Sequence, residues 1–198
     1  DGNDILTSIE NVNGGGGKDS ITGNSAGNVL NGGAGADILY GFKGNDRLTG
    51  GSGIDTALFS SRNNHIDLRS TSRQNTGDGN DILTSIENVN GGGGNDVITG
   101  SKAGNVLNGG AGADILYGFL GNDRLVGGKG NDVFKIKNEI GKDIISDYTP
   151  GEDKIKLLGG ISKSDLTFRR VDGNTKIKDD DDLLAIIENT IAADITFI

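Results

Sequence analysis

Residues 32–57 read GGAGADILY GFKGNDRLT GGSGIDTA, three passes through one nine-residue pattern, Gly-Gly-x-Gly-x-Asp-x-apolar-x. Asp37, Asp46 and Asp55 fall nine apart, and so do Leu39, Leu48 and Ala57. The pattern returns from Gly109 as GGAGADILY GFLGNDRLV GGKGNDVFK, with Asp114, Asp123 and Asp132 ahead of Leu116, Leu125 and Phe134. Six residues crowded with Gly and closed by Asp suit neither helix nor ordinary strand, because Gly takes the left-handed turns that other residues avoid. The next three form a minimal strand with one side chain pointing inward. Turn, strand, turn, strand makes a flattened coil of eighteen residues, and stacked coils make an all-β parallel solenoid.

Stacking has an electrostatic consequence. Asp37 and Asp55 come to lie on one edge about one strand spacing apart, roughly 5 Å. At an effective dielectric near 20, two carboxylates at that separation repel by about 3 kcal/mol. A cation between them removes the repulsion. Carboxylates and outward-turned loop carbonyls form an all-oxygen cage, which suits a hard ion such as Ca²⁺. The chain has no Cys, which leaves oxygen ligands as the metal chemistry open to it.

Residues 1–57 and 78–134 are a duplication at an offset of 77, with ten differing positions, and every Asp of the pattern is kept. Inward residues of the first copy are expected at Leu6, Val12, Ile21, Leu30, Leu39, Leu48 and Ala57. With Ser8–Asn13 counted as one shortened turn, Asp4, Asp19, Asp37 and Asp55 line one edge, and Glu10 or Asn11, Asn28 and Asp46 the other. The second copy gives Asp81, Asp96, Asp114 and Asp132 against Asn88, Asn105 and Asp123. Asn28 and Asn105 replace the consensus Asp; an amide offers one neutral oxygen, so turns built on them bind a cation more weakly or not at all.

The nonapeptide resembles the RTX, or haemolysin-type calcium-binding, repeat of proteins exported by Gram-negative type I secretion. The resemblance implies a right-handed parallel β-roll (a form of parallel β-helix) in which one turn gives its first and third carbonyls plus its Asp. The turn eighteen residues away gives its second and fourth carbonyls plus its Asp. Carried onto this sequence, the ligand turns are Gly14, Gly15, Gly16 and Gly17 with Asp19; Gly32, Gly33, Ala34 and Gly35 with Asp37; and Gly50, Gly51 and Gly53 with Asp55. On the other edge Gly41, Phe42 and Gly44 with Asp46 face the turn that ends in Asn28, while Asp4 belongs to the earliest turn. The second copy supplies Gly91, Gly92, Gly93 and Gly94 with Asp96; Gly109, Gly110, Ala111 and Gly112 with Asp114; and Gly127, Gly128 and Gly130 with Asp132. Gly118, Phe119 and Gly121 with Asp123, together with Asn105 and Asp81, complete the set.

The resulting organisation is a first roll segment at 1–57, a spacer or side hairpin at 58–77, a second segment at 78–135, and a C-terminal β cap at 136–198. From Ile136 the period is lost, and Asp172-Gly173-Asn174 between two strand-like runs signals a hairpin. Asp194-Ile195-Thr196-Phe197-Ile198 resembles the acidic and hydrophobic tail that type I exporters read, a candidate secretion signal. A net charge of −9 argues against nucleic acid and anionic membranes as partners. No apolar run is long enough for a membrane helix. The opening Asp1-Gly2-Asn3-Asp4 reads as a nonapeptide already in progress.

Catalytic signatures do not hold up. Gly23-Asn24-Ser25-Ala26-Gly27 fits G-x-S-x-G, but no helix can follow in NVLNGGAG and the second copy has Lys102 for Ser25. His65 is the sole histidine. The expected function is a non-enzymatic calcium-binding module, secreted or at the cell surface, that folds on Ca²⁺ and supports the export or stability of an upstream domain. The rivals are a calcium-dependent adhesion, surface-layer or polysaccharide-binding unit, whose outward face would use Ile38, Tyr40 and Arg47 with Ile115, Tyr117 and Arg124, and the non-catalytic tail of a secreted enzyme.

Overall fold

The computed structural model describes residues 10–180 and 182–198; the expected ligand Asp4 and the expected inward Leu6 lie outside the described residues. The first copy gives β1 (Asn11–Gly16), β2 (Ser20–Thr22), β3 (Val29–Ala34), β4 (Ile38–Tyr40), β5 (Arg47–Ser52) and β6 (Thr56–Leu58). The stretch after it gives β7 (His65–Asp67), β8 (Gln74–Asn75) and β9 (Asn80–Thr84). The second copy contributes β10 (Asn88–Asn90), β11 (Val97–Thr99), β12 (Val106–Ala111), β13 (Ile115–Tyr117), β14 (Arg124–Lys129) and β15 (Val133–Ile136). The C-terminal part contributes β16 (Asp143–Ile145), β17 (Lys154–Leu157), β18 (Leu166–Val171), β19 (Asn174–Asp179) and β20 (Asp182–Ile187). These form an all-β parallel solenoid of about eight turns.

The strands are short because glycine turns flank them on both sides, and each regular three-residue strand buries its central side chain alone. One face is a ten-stranded sheet in the order β18-β19-β20-β16-β14-β12-β10-β6-β4-β2. Opposite it lie two five-stranded sheets, β1-β3-β5-β9-β8 and β17-β15-β13-β11-β7. The core is a double file of stacked side chains. Along the long sheet Ile21, Leu39, Ala57, Val89, Leu107, Leu125, Ile145 and Ile187 sit directly over one another. Across from them run Leu30, Leu48 and Leu83, then Ile66, Ile98, Leu116, Phe134 and Ile155. The expected inward positions from Ile21 onward are all buried, and Val12 is partly so.

The two copies stack continuously, but out of phase. β10, β12 and β14 repeat the sequence of β1, β3 and β5, yet they join the long sheet that carries β2, β4 and β6. The cause is the stretch between the copies. From β6 the chain crosses to β7, which pairs with β11 rather than with β5. It then doubles back through β8, antiparallel to β9, so that β9 takes the place beside β5. The second copy therefore starts half a coil later. On the long sheet β6 pairs directly with β10, with Ala57 opposite Val89.

The sheets also run on past Ile136, where the nine-residue period fails: β16 pairs with β14 and β17 with β15. Asp143-Ile144-Ile145 and Asp153-Lys154-Ile155 keep the Asp-x-apolar triplet, and it is the turns before them that have changed length. β20, β19 and β18 then form an antiparallel meander over the end of the long sheet. Its hairpin has positive φ at Asp172 (52°) and Gly173 (85°), the mirror-image turn that suits strand twist. The outermost strand exposes Arg169 and Arg170, charges that keep a sheet edge from pairing further.

Because each coil holds so few core side chains, single truncations are costly. Leu107, fully buried in the long file, is expected to destabilise the calcium-saturated protein by about 3 kcal/mol when changed to Ala, measured by denaturant titration.

Candidate metal centre

Every second turn emerges on the same edge of the roll, and one hydrogen bond repeats along each edge. The Oδ1 of an Asp accepts the backbone N–H of the Asp or Asn one coil before it. On the first edge Asp19 N–H donates to Asp37 (2.8 Å), Asp37 to Asp55 (2.8 Å), and Asp55 to Oε2 of Glu87 (3.0 Å). The row continues with Asn105 N–H donating to Asp123 (2.8 Å). On the second edge Asn28 donates to Asp46 (2.7 Å) and Asp46 to Asp81 (2.7 Å). Beyond the interruption Asn64 donates to Asp96 (2.8 Å), Asp96 to Asp114 (2.7 Å) and Asp114 to Asp132 (2.9 Å).

The second carboxylate oxygen is the informative one. Oδ2 of Asp19, Asp37, Asp46, Asp55, Asp96, Asp114, Asp123 and Asp132 is buried without any hydrogen-bond partner. A buried, unpaired anionic oxygen is among the most expensive groups a fold can hold. Each lies against the first glycine of its own turn, where a Cβ would collide with it, as at Gly32, Gly41 and Gly109. A carbonyl of the neighbouring coil shares that space: the Gly32 oxygen and Asp19 Oδ2 crowd the same side of Gly14, and the Gly109 oxygen and Asp96 Oδ2 the same side of Gly91. Gly35 (φ 142°) and Gly53 (φ 134°) hold backbone conformations that favour glycine, and any side chain at Gly53 would strike the Gly35 oxygen. The donor set is wholly oxygen and fits a hard divalent cation. Among the described residues no three acidic or histidine side chains converge, so an ion here has to draw on backbone carbonyls.

The electrostatics agree. Burial pushes Asp46, Asp96 and Asp132 up to about 6, with neighbouring carboxylates adding to the rise. Asp114 is raised by burial as well. Asp143 reaches about 8, through burial first and the charge of Asp123 second.

Two expected turns depart from glycine at their second position. Phe42 (φ 69°) and Phe119 (φ 75°) adopt the left-handed backbone of the glycines they replace. Their rings meet Tyr40 and Tyr117 edge-on at 5.7 and 6.0 Å, contacts that offset part of the strain. The Arg69 guanidinium from the interrupting stretch sits 4.8 Å over Phe119.

The sequence-derived positions are brought together as far as they are described, apart from the phase of the second copy. Asp81, Asp96, Asp114 and Asp132 continue the edge of Asn28 and Asp46, not that of Asp19 and Asp55. The shortened turn presents Glu87 instead of Asn88, because the longer side chain makes up for the missing residues. Asn28 and Asn105 spend their amide oxygens on Asn24 and Ser101 N–H groups, at 2.8 and 2.6 Å, inside their own turns. Sequence reasoning missed Asn64, Glu87, Asp143 and Asp153; for the last two the Asp-x-apolar triplet, with Gly141 and Gly151 two residues ahead, was the available signal. The proposed outward patch is divided: Ile38, Tyr40 and Arg124 lie on the long sheet, while Arg47, Ile115 and Tyr117 lie on the opposite sheets.

Comparison with known families finds four copies of the RTX calcium-binding nonapeptide repeat, at residues 7–26, 22–57, 84–103 and 99–134, just over half of the chain. The chain belongs to this family. RTX nonapeptide repeats bind calcium, and the orphaned oxygens of this RTX roll sit in the turns where the repeat pattern falls. No curated protein matches. Among solved structures, the extracellular lipase LipA from Serratia marcescens aligns at 14% identity and TM-score 0.35, over 89% of this chain and 39% of the lipase. The AlgE6R3 subunit of the Azotobacter vinelandii mannuronan C5-epimerase aligns at 20% identity and TM-score 0.26, over 99% of this chain and 86% of that one. The RTX chain thus spans well under half the length of the lipase.

Two measurements test the edge geometry. Gly53→Ala is expected to raise the calcium needed for half-maximal folding about tenfold, equivalent to ~1.4 kcal/mol of strain, read by circular dichroism. In metal-free solution the raised carboxylates bind more protons folded than unfolded, so they stabilise the fold at low pH. That stability falls as pH rises through about 6 for Asp46, Asp96 and Asp132 and about 8 for Asp143. Chelex-treated protein is therefore expected to gain ordered structure on acidification from pH 8 to 5, and a loss would contradict it.

Proposed function

We propose that this RTX roll is a calcium-triggered folding module that stays largely unfolded inside the cell and folds outside it. The supporting observation is the set of eight buried Asp oxygens without partners. When bound, calcium supplies the positive charge that these oxygens lack. Asp19, Asp37, Asp55 and Asp123 would hold ions on one edge, and Asp46, Asp96, Asp114 and Asp132 on the other, with the glycine-turn carbonyls completing the shells. Without ions the roll sets only about two buried side chains per coil and its ladder hydrogen bonds against the entropy of ordering eighteen residues. Binding free energy then becomes folding free energy.

Affinity near ~10⁻⁴–10⁻³ M, typical of extracellular calcium modules, would leave such sites empty in the cytosol and fill them after export. The C-terminal segment supports the same order of events. Ile195 is buried, Thr196 accepts the Ile155 N–H, and Phe197 packs edge-on against Phe168 at 5.8 Å. A secretion signal in 194–198 is readable by an exporter only while the cap is unfolded. The role of the module is structural, supporting export and stability of whatever it is attached to, with no chemistry of its own. The test is circular dichroism across a calcium titration: strand signal is expected to be weak in excess EGTA and to rise with a midpoint of about 10⁻⁴–10⁻³ M. A full strand signal in EGTA refutes the proposal.

A further inference from the structure

The two edges of the roll end differently. On the second edge the last carboxylate is Asp153. Its Oδ1 accepts the Asp132 N–H at 2.8 Å and its Oδ2 accepts the Thr149 N–H at 2.7 Å, so both oxygens are satisfied by protein donors. Gly151, two residues ahead of it, has φ 86° and faces open space. Beside it Asp147 accepts the N–H groups of Gly127 and Gly128, at 2.9 and 2.8 Å. At this end Oδ2 of Asp132 is unpartnered, but the carboxylate beyond it, Asp153, has no oxygen left to offer.

The first edge ends at Asn138–Asp143, a turn whose sequence NEIGKD retains one glycine and the final Asp of the pattern. Its backbone nevertheless repeats the regular turns. Gly121 N–H donates to the Ile140 carbonyl at 2.9 Å, as Gly35 does to Ser52 and Gly112 to Lys129 at 2.8 Å. Lys142 N–H donates to Asn122 Oδ1 at 2.9 Å, as Ala113 does to Asn95 at 2.8 Å. Gly141 has φ 134°, matching Gly53 (134°) and Gly130 (129°), and a Cβ there would strike the Gly121 oxygen just as one at Gly130 would strike that of Gly112. Asp143 Oδ1 accepts the Asp123 N–H at 3.3 Å, and the two carboxyl groups are within reach of each other. Asp123 is 2% exposed with Oδ2 unpartnered, and Asp143 is 8% exposed. Glu139, the other acid of the turn, is taken up by Lys137 and Tyr117.

We propose that Asp123 and Asp143 form a further calcium site that reaches from the repeats into the cap, and that Asp132 and Asp153 do not. The proposal rests on the calcium reading of the regular turns. It ties folding of the cap to the same ion that the repeats await, on one edge only.

The test counts bound ions in the 198-residue chain by equilibrium dialysis with radioactive calcium. Asp143→Asn is expected to bind one ion fewer than the unsubstituted chain, and Asp153→Asn the same number, though with lower stability. An unchanged count in Asp143→Asn overturns the proposal, as it would if Asp123 and Asp143 share a proton; so does an equal loss in Asp153→Asn. If the unsubstituted chain binds no calcium, the calcium reading fails first. A second measurement needs no variant. Crystals of the unsubstituted protein grown with terbium should show anomalous density between Asp123 and Asp143 and none between Asp132 and Asp153, and the reverse would refute the assignment.

Discussion

Each coil of this roll sets carboxylate over carboxylate at a spacing fixed by the backbone ladder. The strands cannot pair in parallel without bringing their Asp rows together, and the Asp rows cannot come together uncompensated. One oxygen of each pair is compensated from within, by the N–H of the preceding coil. The other oxygen is turned into a space lined by further oxygens and has no protein partner. Under the proposed function, that division makes the fold conditional on a bound cation. The same geometry that builds the sheet creates a demand which the chain does not meet by itself, and the glycines are what allow the turns to be tight enough to create it.

The regular coils were legible from sequence because a nine-residue period encodes turn, strand and inward side chain together. Leu30, Leu39, Leu48 and their copies are buried where the pattern puts them. Legibility ended where length changed. The period does not say on which face the chain resumes after an interruption, since that depends on β8 doubling back to let β9 into the place beside β5. It does not reveal that Glu87 reaches across a shortened turn, because side-chain length is traded there for backbone length. Asp143 and Asp153 escaped notice for a related reason: the triplets that matter survive, while the glycine turns that advertise them have eroded.

The asparagines mark the same trade from the other side. Asn28 and Asn105 occupy Asp positions but turn their amide oxygens to N–H groups in their own turns. Asn64 goes further, and its amide nitrogen donates to the carbonyls of Arg62 and Gly91 and to Asp96 Oδ1, at 2.7, 2.9 and 2.8 Å. There an NH₂ group sits among the oxygens that elsewhere surround unsatisfied space. At the joint between the copies, neutral protein donors take over part of the work of charge.

The half-coil offset between the copies has a consequence for growth by duplication. A unit of 77 residues does not complete a whole number of coils, so each added unit is rotated to the far side of the roll. Near-identical surfaces then alternate left and right along the axis, and a third unit would restore the facing of the first. A lengthening array of this kind acquires a two-unit helical repeat, with matching outer patches never on adjacent units of the same side.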